Sequence, residues 1–350
     1  MLVKSLSALS QAHHGALTAP YRAALRARRF KNAVFNAPVD APDVSTVTTV
    51  DGARLRVHSY GPADAEPIVL IHGWSCCIEY WHPQINTFAD RYRVISYDQR
   101  GHGESTLGRA ALADHTLADD LAAVLDATLR PGRKALLVGH SMGGITLQAW
   151  AARHPDQVAR RARAVVLANT TSGNIRYDTD LLPLLNKPLS VGSQPLTLLG
   201  SPIRLPMIFA ESLLTSPLPL PGGWAARELL KERIMARGAT NEQAEFALSI
   251  VRSCRPLARG RHAALLADLE LGEAAANLTV PTTIIAGRYD RLLPERMSRI
   301  IADTMRAAGN HPDYQVWPTG HLGNIEDADR FDAELAAILN RTSSQSKAAG

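Results

Sequence analysis

The chain has 350 residues, 46% of them hydrophobic and 20% charged, which allows one large domain with an insertion and contains no run of about 20 apolar residues that would span a bilayer. The net charge of +5 is gathered at one end: Lys4, Arg22, Arg26, Arg28, Arg29 and Lys31 precede the first acid, Asp40, so the rest of the chain is close to neutral and offers no basic stripe for nucleic acid. Three cysteines, Cys76, Cys77 and Cys254, make neither a disulfide framework nor a Cys-x-x-Cys metal pair, and a reducing, cytoplasmic setting is the expectation.

Residues 1–43 read as a basic N-terminal arm. They lack the apolar run and cleavage site of a secretory signal, but are Arg-rich and acid-poor as organelle transit peptides are. Pro20 predicts a helix start, which sets Arg22, Arg26 and Arg29 on one face and Tyr21, Ala24 and Leu25 on another. Because the apolar face is weak, the expectation is a solvated helix lying loosely on the domain. The alternative is weak peripheral contact of the basic face with an anionic membrane surface.

From Val44 the pattern changes. Val44 to Val50 alternates, Asp51-Gly52 signals a hairpin turn, and Ala53 to Tyr60 alternates again. Ile68–Ile71 is a continuous apolar run, as expected of a strand buried on both faces. Arg93–Tyr97, Ala135–Val138, Val165–Ala168 and Thr283–Ala286 are similar, and Gln315–Trp317 is a shorter candidate. Helical patterns fall between them at 79–90, 116–129, 143–154, 294–307 and 325–339. This alternation predicts an α/β fold: a mostly parallel central sheet with helices on both faces.

The alternation breaks over 172–278. Residues 181–221 are rich in leucine and carry Pro183, Pro188, Pro195, Pro202, Pro206, Pro217, Pro219 and Pro221, too apolar for solvated coil. Thr240 with Gln243 three residues on is a capping-box start for a later helix. The stretch reads as a helical cap inserted between core parts 44–171 and 279–340. The Ser-, Lys- and Ala-rich residues 341–350 read as a disordered tail.

Gly139-His140-Ser141-Met142-Gly143 follows a predicted strand and precedes a predicted helix, the context in which Gly-x-Ser-x-Gly becomes a nucleophile elbow. Gly139 and Gly143 leave room for the tight turn that exposes Ser141. A serine hydroxyl needs a base, and His321 lies in Gly320-His321 after the last strand. The base needs an acid to fix its tautomer, and Asp290 follows the strand before it. Asp178 and Asp180 are weaker rivals for that role. Cys76 and Cys77 are set aside as nucleophiles because the elbow already holds a serine.

Together with His72-Gly73-Trp74, Asp98-Gln99-Arg100-Gly101-His102-Gly103-Glu104-Ser105 and Gly144, these motifs resemble the α/β-hydrolase superfamily over about residues 44–340, in its serine esterase and lipase-like branch with a cap domain. The resemblance implies a catalytic triad of Ser141, Asp290 and His321. It also implies an oxyanion hole from the backbone amides of Trp74 and Met142. Asp98, Arg100, His72 and Trp81 are read as structural. No metal and no organic cofactor is expected. A serine nucleophile suits a carboxylic ester, and the apolar cap favours an apolar, lipid-like acyl group. Alternatives with the same triad are a cofactor-free haloperoxidase, an acyltransferase or a carbon–carbon bond hydrolase. An alternative of another class is a catalytically slow small-ligand binding protein.

Overall fold

A computed structural model describes residues 16–180 and 220–348, with four two-residue strands between 190 and 202, and the side chains of 16–180 and 220–343. Eight strands form one sheet: β1 (Asp43–Thr48), β2 (Arg54–Tyr60), β3 (Pro67–Ile71), β4 (Arg93–Tyr97), β5 (Ala135–His140), β6 (Ala162–Ala168), β7 (Thr282–Gly287) and β8 (Asp313–Trp317). Their order is β1-β2-β4-β3-β5-β6-β7-β8. β1 pairs with β2, and β2 with β4, antiparallel; all other pairs are parallel. The hairpin turns at Gly52, whose φ of +85° is the left-handed conformation that the Asp-Gly signal anticipates.

The sheet is covered on both faces, and the side-chain period of two sorts each strand between two cores. Ile68 and Leu70 of β3 join Leu136 and Val138 of β5 in one apolar cluster, with Phe88 of α2 (His82–Phe88) and Phe331 of the C-terminal helix. Val69 and Ile71 join Leu137 in the other, with Leu121 of α3 (Asp114–Thr128), Trp150 of α4 (Met142–Arg153) and Ile301 of the helix Glu295–Ala307. Central strands therefore carry apolar side chains on both sides, as their unbroken hydrophobic runs predict.

Between β6 and β7 the chain forms the short helix Ile175–Asp178, then α5 (Trp224–Ile234), α6 (Asn241–Ser253) and α7 (Pro256–Ala267). The capping box is present: the Thr240 side chain accepts from the Gln243 amide and the Gln243 side chain from the Thr240 amide. Pro256 occupies the first turn of α7, where its missing N–H costs nothing. Most of the Leu- and Pro-rich run, residues 181–219 outside the short strands, lies outside the described residues.

Two expectations are corrected at the ends. The N-terminal helix, α1, is already formed at residue 16, ahead of Pro20, and runs to 27; it is held tightly. Thr18, Arg22 and Leu25, one turn apart, form its buried face. The last helix, α8 (Ala328–Ala348), continues into the predicted tail as far as Ala348. No Gly or Pro interrupts it before Gly350, and Arg163 of β6 reaches the Ser343 hydroxyl at 3.1 Å. Among the described residues no helix is long and apolar enough to cross a membrane.

Candidate active site

The carboxyl ends of β3, β5, β6, β7 and β8 bring together five loops, which is where open α/β sheets place their sites. At the end of β5, Ser141 has φ +52° and ψ −118°, a rare backbone conformation for a residue with a side chain. The neighbouring glycines explain how the turn is tolerated. A Cβ on Gly143 would run into the Ile71 carbonyl of β3, and one on Gly139 into the Gly143 backbone. The turn is tied down by the Ser141 amide donating to Ala168 O at 2.9 Å and the Thr170 hydroxyl donating to Ser141 O at 2.7 Å. Ser141 therefore sits at the N-terminus of α4, on a support it shares with β6.

His321 Nδ1 donates to Asp290 Oδ2 at 2.8 Å, and both side chains are buried. Asp290 is held in turn: Oδ1 accepts the Leu292 and Leu293 amides at 2.9 and 2.8 Å, and Oδ2 also accepts Asn169 Nδ2 at 3.1 Å. With Nδ1 committed to Asp290, the His321 ring offers Nε2 to any other partner. His140, next to Ser141, donates Nε2–H to the His321 carbonyl at 2.8 Å, so the His321 loop and the elbow are joined directly. Burial holds the His140 imidazole well below the usual histidine range, with the neighbouring His321 adding to the effect, and it stays neutral.

The loop after β3 brings up Trp74. Its backbone amide has no acceptor among the described residues, and Met142, the first residue of α4, has no intrahelical acceptor for its own. The loop is propped by His102, whose Nε2 accepts the Ser75 amide at 3.1 Å, and by His72, whose Nε2 accepts the Gln99 amide at 3.0 Å. Asp98 pairs with Arg56 at 2.7 Å and accepts the Ile78 and Glu104 amides at 2.9 and 2.8 Å, while Arg100 forks between Asp51 and Asp120, both at 2.6 Å. His72, Asp98, Arg100 and His102 are all buried in this scaffold, and Trp81 is fully buried in the core. Leu266 and Leu265 of α7 join Met142, Ile145 and Trp74 in one apolar cluster, and Trp74 Nε1 donates to the Arg259 carbonyl at 3.0 Å, so α7 is packed against the elbow side of the sheet.

The rival acids are elsewhere: Asp180 pairs with Arg296 at 2.8 Å, and Asp178 ends a short surface helix. The three thiols are free and buried, and burial pushes Cys254 up to about 11 and Cys76 higher still, which makes neither a nucleophile. Among the described residues no three His, Cys, Asp or Glu side chains stand together as a metal site requires. Sequence reasoning missed Asn169, which follows β6 at φ +48° and bridges Asp290 to the Gly320 carbonyl at 3.0 Å. Its only signal is its place directly after a core strand. It missed Glu326 as well, five residues after His321.

The sequence matches the alpha/beta hydrolase family over residues 68–334. RutD of Caulobacter vibrioides, provisionally named a carbamate hydrolase, is 30% identical over 308 residues, covering 84% of this chain and 97% of its own. The non-heme chloroperoxidase of Streptomyces lividans is 36% identical over 144 residues, which is 40% of this chain and 51% of that protein; the match thus spans about half of that relative's length. Among solved structures, a thermophilic esterase from Thermogutta terrifontis superposes with a TM-score of 0.64 at 21% identity, over 86% of this chain and 99% of its own, which speaks for the fold. With the sheet order, the elbow and the family match over residues 68–334 in agreement, the chain belongs to the alpha/beta hydrolase family.

Proposed function

We propose that the protein is a serine hydrolase that cleaves carboxylic esters with apolar acyl groups through an acyl-enzyme on Ser141. The observation that carries this reading is the pairing of a strained serine elbow with a histidine whose Nδ1 is held at 2.8 Å by a buried, fully bonded carboxylate. In the first half-reaction Ser141 Oγ attacks the ester carbonyl carbon and His321 Nε2 takes the hydroxyl proton. Asp290 keeps the ring in the tautomer that can do so and stabilises the imidazolium. The amides of Trp74 and Met142 meet the oxyanion of the tetrahedral intermediate, a contribution of roughly 3 kcal/mol each. His321 then protonates the departing alkoxide. Water then attacks the acyl carbon with His321 again as base, the bond to Ser141 Oγ breaks as His321 returns the proton to Oγ, and the carboxylic acid leaves.

A second reading has support in the similarity to the chloroperoxidase: hydrogen peroxide replaces water in the second half-reaction and the product is a peracid. The apolar cluster of Leu265, Leu266 and Ile145 beside Met142 supports an apolar acyl chain in either case. The test is a p-nitrophenyl ester series from acetate through hexanoate and beyond, with and without peroxide. The specificity constant should climb by up to about fourfold per methylene, the equivalent of about 0.8 kcal/mol, until the pocket is full. Ser141→Ala and His321→Ala should each lose several orders of magnitude in turnover, and Asp290→Asn fewer. Near-native turnover in either alanine variant rules out the triad, and a steady fall from acetate upward rules out the apolar acyl pocket.

A further inference from the structure

His321 stands between β8 and a short helix, Gly323–Glu326, and three successive amides around it are held from outside the loop. The Gly320 amide donates to Glu326 Oε2 at 2.9 Å and the Leu322 amide to Glu326 Oε1 at 3.0 Å. Between them, the His321 amide donates to the Ile234 carbonyl at 2.7 Å. The same Glu326 Oε2 also accepts the Ala236 amide at 2.7 Å. Ile234 is the last residue of α5 and Ala236 lies just beyond it. One carboxylate therefore satisfies donors from two distant parts of the chain: the loop that carries His321 and the turn that leaves α5.

The joint is close-packed. A Cβ on Gly320 would strike the Ile234 and Met235 backbone, so the two segments meet backbone to backbone. Gln243, already committed to the capping box of α6, donates its Nε2 to the Ile325 and Glu326 carbonyls at 2.9 and 3.0 Å. Hydrogen bonds to an ionised acceptor are roughly twice as strong as neutral ones, and an unmet buried amide is costly. Burial raises the Glu326 carboxyl above the ordinary range against the pull of its three amide donors. The ionisable groups whose charge reaches it include Asp290, on the loop after β7, and Tyr80, beside His140.

We propose that Glu326 is a positioning residue for His321: its carboxylate locks the Gly320–Leu322 loop to the turn after α5, so that seating that turn on the core and orienting the imidazole are a single event. This rests on the reading of His321 as the base. Two substitutions in the full chain separate reach from charge. Glu326→Gln sets an NH2 donor against amide donors and removes the negative charge. Glu326→Asp keeps the charge on an arm too short for all three amides.

Both variants should lower kcat for a p-nitrophenyl ester by about 10- to 100-fold while KM stays within about threefold, because a misaimed base is felt in the transition state. Only Glu326→Gln should move the acid limb of the kcat/KM profile to lower pH, since loss of a nearby negative charge disfavours the imidazolium. A merely structural role would lower Tm and leave that limb in place. NMR titration of the His321 ring in wild type and Glu326→Gln repeats the charge readout without turnover. Wild type without Ser141-dependent ester hydrolysis would end the ester reading, and the ring titration alone would then decide the role of Glu326. Wild-type kcat in either variant, or an unmoved ring titration in Glu326→Gln, overturns the proposal. If Glu326→Gln does not fold, kcat of Glu326→Asp decides it.

Discussion

Ser141 holds its φ of +52° because the residues around it leave the backbone no cheaper path. Gly143 is the tightest of them: its missing Cβ is the space in which α4 approaches the carboxyl end of β3. A methyl group there meets a backbone carbonyl, which cannot swing away as a side chain can. Gly143→Ala should therefore cost about 1–3 kcal/mol or more and shift the elbow. Urea unfolding and the rate of Ser141 labelling by a fluorophosphonate check this together. Native stability with a native labelling rate would mean that the strands have more give than these contacts allow. Gly144 is a contrast, since its added methyl would meet the Thr170 side chain.

At the scale of elements, the N-terminal arm is a strap. Arg22 reaches Glu104 of the core at 3.2 Å and the Ser253 carbonyl at the end of α6 at 3.4 Å. Phe35 stacks on Phe246 of α6 with ring centroids 4.9 Å apart, and Phe30 meets Phe246 edge-on at 5.4 Å. Arg28 pairs with Glu245 at 2.8 Å, and Arg252 lies 4.4 Å over the Tyr21 ring. The ion pairs are partly exposed and are worth about 0–1 kcal/mol each, so the aromatic contacts supply most of the hold. Phe35→Ala should cost about 3–5 kcal/mol in urea unfolding. A loss below about 1 kcal/mol would show that α6 keeps its place without the strap.

At the scale of the whole molecule, buried neutral histidines set a limit on acid stability. His72, His102 and His262 form a chain from the sheet to α7, with ring centroids 5.4 and 4.5 Å apart, and His140 lies beside the site. Burial lowers His72 to about 4 and His102 to about 3, and holds His140 and His262 well below the usual range. Unfolded histidines take a proton near 6.5, so the unfolded chain binds more protons than the fold below that pH. Their stabilisation is complete above about 6.5 and is lost as pH falls through the folded values, at up to about 1.4 kcal/mol per histidine per pH unit. Asp120, raised to about 6 by burial, works in the opposite direction and offsets about one of them. Tm measured at pH 7.5, 6.5, 5.5 and 4.5 should be level at first and then fall increasingly steeply. A level Tm down to 4.5 would mean that these rings are not buried neutral.

The strands, the elbow and the capping box were legible in the sequence because each is local. A strand buried on both faces must be continuously apolar, a tight strand-to-helix turn must have glycine at Gly139 and Gly143, and a capping box such as Thr240 and Gln243 spans four residues. What surrounds those residues was decided by the tertiary structure. Asn169 bridges Asp290 and Gly320, Glu326 joins Ala236 to the His321 loop, and Arg22 reaches both Glu104 and Ser253. Each is an ordinary polar side chain in an unremarkable stretch, and each has a partner tens to hundreds of residues away. No periodicity or spacing records such a bond; it exists only once the sheet has brought the loops to one edge.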